Sequence, residues 1–317
     1  MHTAAQRRPV FDVPSRFLSI LDFGPAELST CLRLAADLKA ARNNRRPHSR
    51  PLEGHHVALL FEKPSLRTRS TFQIAIRELG GDVIEPPQDV ALGGRESIAD
   101  VARNLERWVA AAVVRTFAQA RLQAFADAAP RLRVINALTD EEHPCQGLAD
   151  ALTLIEHFGD LHGRTVAFVG DGNNVARSLA QAVLMLGGNV RVAAPAGFEL
   201  DAAGARTARH RARFGATLEL LVDPAAAVRG ADAVYTDVWA SMGQESEASA
   251  RREIFAPYQV NAALMSGAAP GAIFMHCLPA HRGDEVTDDV IDSSASVVFE
   301  QAENRLHTQK ALLAMLV

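Results

Sequence analysis

Ser65, Leu66, Arg67, Thr68 and Arg69 place hydroxyls and two guanidinium groups just past the apolar run at 57–61. If that run is a strand and a helix follows, the free N–H groups and dipole of the helix start favour an anion, and guanidinium forks match phosphate. The loop lacks the GxxxxGK[ST] of a nucleoside triphosphatase, and Lys63 falls on the wrong side of it. A capped helix with solvated arginines would use the same residues without binding anything.

Further polar clusters follow apolar runs. Arg115 closes the run at 110–114; a rim charge and a ligand would look alike there. His143 and Gln146, in "HPCQ", lie three apart in what reads as a first helical turn, so both can donate to one carbonyl oxygen; a helix-capping histidine is the plain alternative. "GDGNNV" at 170–175 begins like the dinucleotide fingerprint GxGxxG but has Val175 where the third glycine belongs. The acid expected about 20 residues on, at the end of the next strand, is absent, which argues against a nicotinamide cofactor. Asn173 and Asn174 in that turn suit a polar substrate. Asp237 ends an apolar run and precedes Ser241 and Met242; an acid there can hold a cationic group. His276, Cys277 and Leu278 end another run, and Arg305 opens the last helix. No third or fourth ligand stands at zinc-like spacing, so no metal is expected.

The elements that must position these side chains alternate almost throughout. Strands are expected at 56–62, 82–86, 110–117 and 133–140, and again at 165–172, 189–195, 217–223, 232–239 and 272–279. Between them lie helices: one with Phe72, Ile76 and Leu79 on one face, stopped by Gly80-Gly81, and one capped by Ser97 with Ile98, Val101, Leu105 and Trp108 as its stripe. A long helix runs from His143, with Pro144 in its first turn, to Gly159, and the last covers 302–316. Buried strands between helices predict an α/β fold of two parallel-sheet domains joined by long helices, the C-terminal helix packing back on the first. The domains expected are 1–143 with about 300–317, and 144–299. In open α/β sheets ligands bind at the carboxyl ends of strands, where these clusters fall.

Bulk composition sets outer limits. The 317 residues are long for one core, and a net charge of −4 without a basic run argues against nucleic acid or an anionic membrane. Three widely spaced cysteines form no disulfide framework, which fits a reducing cytoplasmic setting. No apolar run approaches the ~20 residues of a membrane helix.

Taken in order, "SLRTR", "HPCQ", "GDGNN", "DVWASMGQE", "HCLPAHRGDE" and "AENRLHTQK" resemble the ornithine carbamoyltransferases from about residue 15 to the end. "HPCQ" and the arginine loop are shared by carbamoyltransferases more widely; "SMG" with "HCLP" is specific to the ornithine branch. The resemblance implies attack of the side-chain amine of L-ornithine on carbamoyl phosphate, giving L-citrulline and phosphate without a cofactor. It implies that Ser65, Leu66, Arg67, Thr68, Arg115, His143, Gln146, Cys277, Leu278 and Arg305 bind carbamoyl phosphate, with Arg67, Arg115, His143 and Cys277 catalytic. It assigns ornithine to Asn174, Asp237, Ser241 and Met242, and implies homotrimers or multiples of trimers with sites at subunit boundaries. Asp237 and Cys277 would orient the amine; Cys277 or the departing phosphate would take its proton. One position departs from the pattern: Ala91 stands where the family commonly has a Gln or His that reaches a neighbouring subunit's carbamoyl phosphate. Other readings are a carbamoyltransferase for putrescine or N-acetylornithine, an NAD-dependent oxidoreductase resting on "GDG" alone, and a weak paralogue acting as a scaffold.

Overall fold

A computed structural model describes residues 14–87, 92, 94–240 and 247–317. Ala91, Ser241 and Met242 therefore lie outside the described residues. The chain forms two five-stranded parallel sheets. The first contains β1 (Arg16–Phe17), β2 (His56–Phe61), β3 (Asp82–Ile84), β4 (Ala111–Arg115) and β5 (Arg133–Leu138), in the order β1-β5-β4-β2-β3. The second contains β6 (Thr165–Val169), β7 (Asn189–Ala193), β8 (Leu218–Leu221), β9 (Ala233–Thr236) and β10 (Ile273–His276), in the order β10-β9-β6-β7-β8. The apolar runs read as strands are strands, and the central ones are buried on both faces, as parallel sheets covered by helices require.

The strand orders decide where a ligand can sit. In the first sheet the chain runs outward from β2 to β3 and then returns to β4 on the other side of β2. In the second it runs outward from β6 through β7 to β8 and returns to β9 beside β6. A crevice opens at each reversal, at the carboxyl ends of the two strands that diverge. Residues 65–68 and Arg115 stand at the first reversal; residues 170–174 and Asp237 stand at the second.

Long helices tie the sheets together. In the helix Pro144–Phe158, Cys145, Leu148, Ala151 and Leu152 pack in the first sheet's core, whereas Leu154 packs in the second's. The C-terminal helix lies against the helices Pro25–Asn43, Leu66–Glu78 and Pro144–Phe158, with Leu306, Ala311, Leu312, Leu313 and Leu316 in the first core. It starts at Val298, so Arg305 sits two turns inside it and does not open it. The helix Pro25–Asn43 and the short strand β1 precede the first strand read from the sequence. Trp108 is 64% exposed, since its helix ends there and the ring leaves the face that packs on the sheet.

Candidate active site

The wall at the first reversal is cationic. Ser65 caps the helix Leu66–Glu78 in extended backbone geometry but its hydroxyl makes no capping bond, and Leu66 is exposed. Arg69 is drawn off to Glu85 at 2.6 Å, and Lys63 to Asp140 at 2.5 Å. Arg67, half-buried in the first turn, stays with the cluster. Arg305 is buried and bridges two elements: one guanidinium nitrogen donates to Thr68 Oγ1 at 2.7 Å and the other to Gln146 Oε1. Arg115 is buried at the end of β4, where the register with β5 shifts. Burial, then Arg305 and Arg67, pull the Arg115 guanidinium down to about 10. Three cations repel one another here, and Arg115 Nε, Arg305 Nε and His143 Nδ1 are buried without an acceptor from the protein. A multiply charged anion is the complement of such a cluster.

His143 is positioned by its backbone. Its N–H donates to Ser178 Oγ at 2.9 Å; Ser178 Oγ in turn donates to Glu142 Oε2 at 2.8 Å. The imidazole makes no capping bond, so the plain capping role is not the one it fills. Burial, Arg305 and Arg115 hold its pKa well below the ordinary histidine value. The ring is therefore neutral at pH 7 and can donate one hydrogen bond without carrying charge. One turn on from Gln146, the fully buried Asp150 accepts from Gln146 Nε2 at 2.7 Å and from Gln301 Nε2 at 2.6 Å, with Tyr235 Oη at 3.4 Å. This fixes the Gln146 amide so that its oxygen faces Arg305.

The second wall is acidic. Asp237 Oδ1 accepts from Cys277 Sγ at 2.9 Å, and Oδ2 accepts from Asn173 Nδ2 at 2.8 Å. Burial, with Asp237 adding, pushes the Cys277 thiol far above its ordinary value, so it is a protonated donor at neutral pH. Asn174 turns the other way, its amide donating to the Thr139 carbonyl at 2.5 Å. The sequence singled out both asparagines, and it is Asn173 that reaches Asp237. A pocket of about 340 Å³ beside this turn is bordered by Asn173, Asn174, Arg177 and the carboxylates of Asp140, Glu141, Glu199 and Asp201. Its charge favours the approach of a cation. The two walls sit within electrostatic reach, since Cys277 bears on the proton affinity of Arg115 and Arg305 on that of Cys277.

The dinucleotide reading fails in space as well as in sequence. A Cβ on Gly172 would lie 2.2 Å from Leu200 N and 2.4 Å from the Glu199 carbonyl carbon. The close approach that glycine permits is taken by the chain's own backbone at 199–200, not left for a pyrophosphate. Asp237, His276 and Cys277 bring ligand-type atoms within 4.8 Å of one another. Both His276 nitrogens are already engaged, with Leu278 N and Glu285 Oε1. Sequence reasoning missed Asp150, whose place four residues after Gln146 on a helix was the available signal. It also missed Glu285, Gln301 and Glu142, whose partners are distant along the chain.

Two parallel α/β domains sharing one cleft, cationic on one wall and acidic on the other, define a two-substrate transferase. The chain belongs to the aspartate/ornithine carbamoyltransferase family: residues 15–156 match its carbamoyl-P binding domain and residues 162–316 its Asp/Orn binding domain. It is 50% identical over 303 residues to the ornithine carbamoyltransferase of Symbiobacterium thermophilum, covering 95% of this chain and 97% of that one. It is 48% identical to the anabolic ornithine carbamoyltransferase of Pseudomonas aeruginosa, with 95% and 96% covered. The solved ornithine carbamoyltransferase of Pyrococcus furiosus superposes with a TM-score of 0.93 at 48% identity, covering 97% of this chain and 98% of that one.

Proposed function

We propose that this protein transfers the carbamoyl group of carbamoyl phosphate to the side-chain amine of L-ornithine, giving L-citrulline and phosphate. The observation that carries the reading is the convergence of Arg67, Arg115 and Arg305 with a neutral His143 opposite the Asp237–Cys277 pair. Three guanidinium groups and the N–H groups at the start of the helix Leu66–Glu78 hold the phosphate and stabilise the charge it gains on departure. Thr68, Arg115 and His143 donate to the carbonyl oxygen as it becomes an oxyanion; Gln146 lies beside them, oriented by Arg305. A neutral imidazole suits that role, because it strengthens its bond as charge develops without having to lose a proton.

Ornithine arrives as an ammonium ion and gives its first proton to bulk water on entering the cleft, so that the neutral amine attacks. Asp237 holds the amine, with Asn173 and Asn174 beside it and, by family pattern, Ser241 and Met242. Cys277 is already protonated and donates to Asp237, so its part is to orient that carboxylate. After attack, the amine nitrogen gives a second proton to the leaving phosphate as the C–O bond breaks. The Leu278 carbonyl accepts from the carbamoyl NH₂. In this reading residues 1–143 with the last helix form the carbamoyl phosphate domain and residues 144–299 the ornithine domain. The active form is a homotrimer or a multiple of trimers, and the setting expected from its widely spaced cysteines is the cytoplasm. No described helix is long and apolar enough to cross a membrane. A steady-state assay offering ornithine, putrescine and N-acetylornithine tests the reading. Ornithine should be preferred, and no citrulline from it would sink the proposal.

A further inference from the structure

Leu278 follows Cys277 in the turn beyond β10 and has φ +55°, the left-handed region. A leucine stays there only when its surroundings over-determine it. The determining contact comes from two residues back: Leu278 N–H donates to His276 Nδ1 at 2.9 Å. A backbone N–H is always a donor, so Nδ1 carries no proton, and in the neutral ring Nε2 must carry it. Nε2 lies 3.1 Å from Glu285 Oε1, which accepts it. The same oxygen also accepts the His281 N–H, at 2.5 Å, which anchors the far side of the loop. Both side chains are fully buried. The His276 backbone N–H is held by Gln301 Oε1 at 3.0 Å, and its strand is paired with β9. The ring therefore has no freedom to turn, and Glu285 selects the one tautomer that can receive Leu278.

We propose that His276 and Glu285 are a buried positioning pair that locks the Leu278 turn, aims the Leu278 carbonyl at the carbamoyl NH₂, and so sets the preference for carbamoyl phosphate over phosphates that lack that group. The inference rests on the reading of Leu278 under the proposed function. Neither side chain touches substrate. The pair acts by fixing a backbone acceptor in advance, so the substrate does not have to order it on binding. If His276 took the other tautomer, or became imidazolium, Nδ1–H would face Leu278 N–H. Two donors would then oppose each other and the turn would reorganise.

The test uses three probes: carbamoyl phosphate, acetyl phosphate, which has a methyl in place of the NH₂, and inorganic phosphate. The wild-type protein should bind carbamoyl phosphate more tightly than acetyl phosphate; equal affinities would show that no acceptor meets the NH₂, which removes the Leu278 reading itself. With wild-type discrimination present, His276→Gln should weaken carbamoyl phosphate about tenfold, the scale of one hydrogen bond, and leave inorganic phosphate within about twofold. His276→Asn, whose Oδ1 can stand where Nδ1 stood, should restore most of the preference. Parallel weakening of all three probes, or a His276→Gln protein that still discriminates, overturns the positioning role. The ¹⁵N shifts of the His276 ring in the wild-type protein give a reading that needs no variant. The Nε2–H tautomer supports the pair, and Nδ1–H or imidazolium at neutral pH refutes it.

Discussion

Asp150 is the residue on which the two walls meet. It is fully buried, takes hydrogen bonds from Gln146 on one side and Gln301 on the other, and leaves Oδ2 without a partner. Gln146 leads to Arg305 and Thr68; Gln301 leads to the His276 backbone and so to Cys277. Burial raises the Asp150 carboxyl to about 7, against the partial relief given by those bonds. The sign follows from proton counting: between pH 4 and pH 7 the folded protein keeps a proton that the unfolded chain has lost. Stability from this group is therefore present at low pH and falls as pH rises toward 7. The full effect is at most about 4 kcal/mol, from 1.36 kcal/mol per unit. Urea unfolding should show the wild-type protein losing stability across that window more steeply than Asp150→Asn, which cannot ionise. Parallel profiles would mean that Asp150 titrates normally and that its burial is relieved in some other way.

The elements show how far the sequence could be read. Strand positions were legible because parallel strands buried on both faces are short apolar runs, and the cationic helix start at 65–69 was legible because its residues are local to one turn. The helix Pro25–Asn43 carries Leu28, Cys31, Leu32, Ala35 and Leu38 at helical spacing, so its pattern was present though unread. The distant partner of Asp150 was hidden for a different reason. Gln301 is 151 residues from Asp150 along the chain, and no periodicity links the two. The C-terminal helix illustrates the same limit. Lys310 is fully buried on it and pairs with Glu78 at 2.7 Å, while Glu78 also pairs with Arg42 at 2.9 Å. The two ends of that bridge should respond unequally. Glu78→Gln strands a buried ammonium and should cost about 3 kcal/mol in denaturant unfolding. Lys310→Met removes the buried charge, keeps the aliphatic stem and leaves Glu78 with Arg42, so it should cost about 1 kcal/mol or less. Equal losses would mean that the helix is docked by its apolar face alone.

At the scale of the whole molecule, two sheets each offer a crevice at a strand reversal, and two shared helices bring the crevices face to face. The arrangement separates the tasks. In the reaction proposed for this chain, the first wall with Arg305 of the C-terminal helix would take the anion and the second wall the cation, and neither set alone would surround the reacting carbonyl. On that proposal, charge complementarity between the walls would also favour the second substrate, since a bound dianion makes the cleft more favourable for an ammonium ion. In the trimer proposed for this chain, the remaining wall of the anion site would come from a neighbouring subunit, and Ala91, outside the described residues, stands where the family commonly supplies a Gln or His for it. Sedimentation should give about three times the 34.1 kDa chain mass, or a whole multiple of that. In that trimer, Ala91→Gln adds a donor to a site that already holds three arginines, so the gain should be a modest one, about three- to tenfold in the KM for carbamoyl phosphate, with kcat little changed. An unchanged KM would show that residue 91 is not used in binding the phosphate.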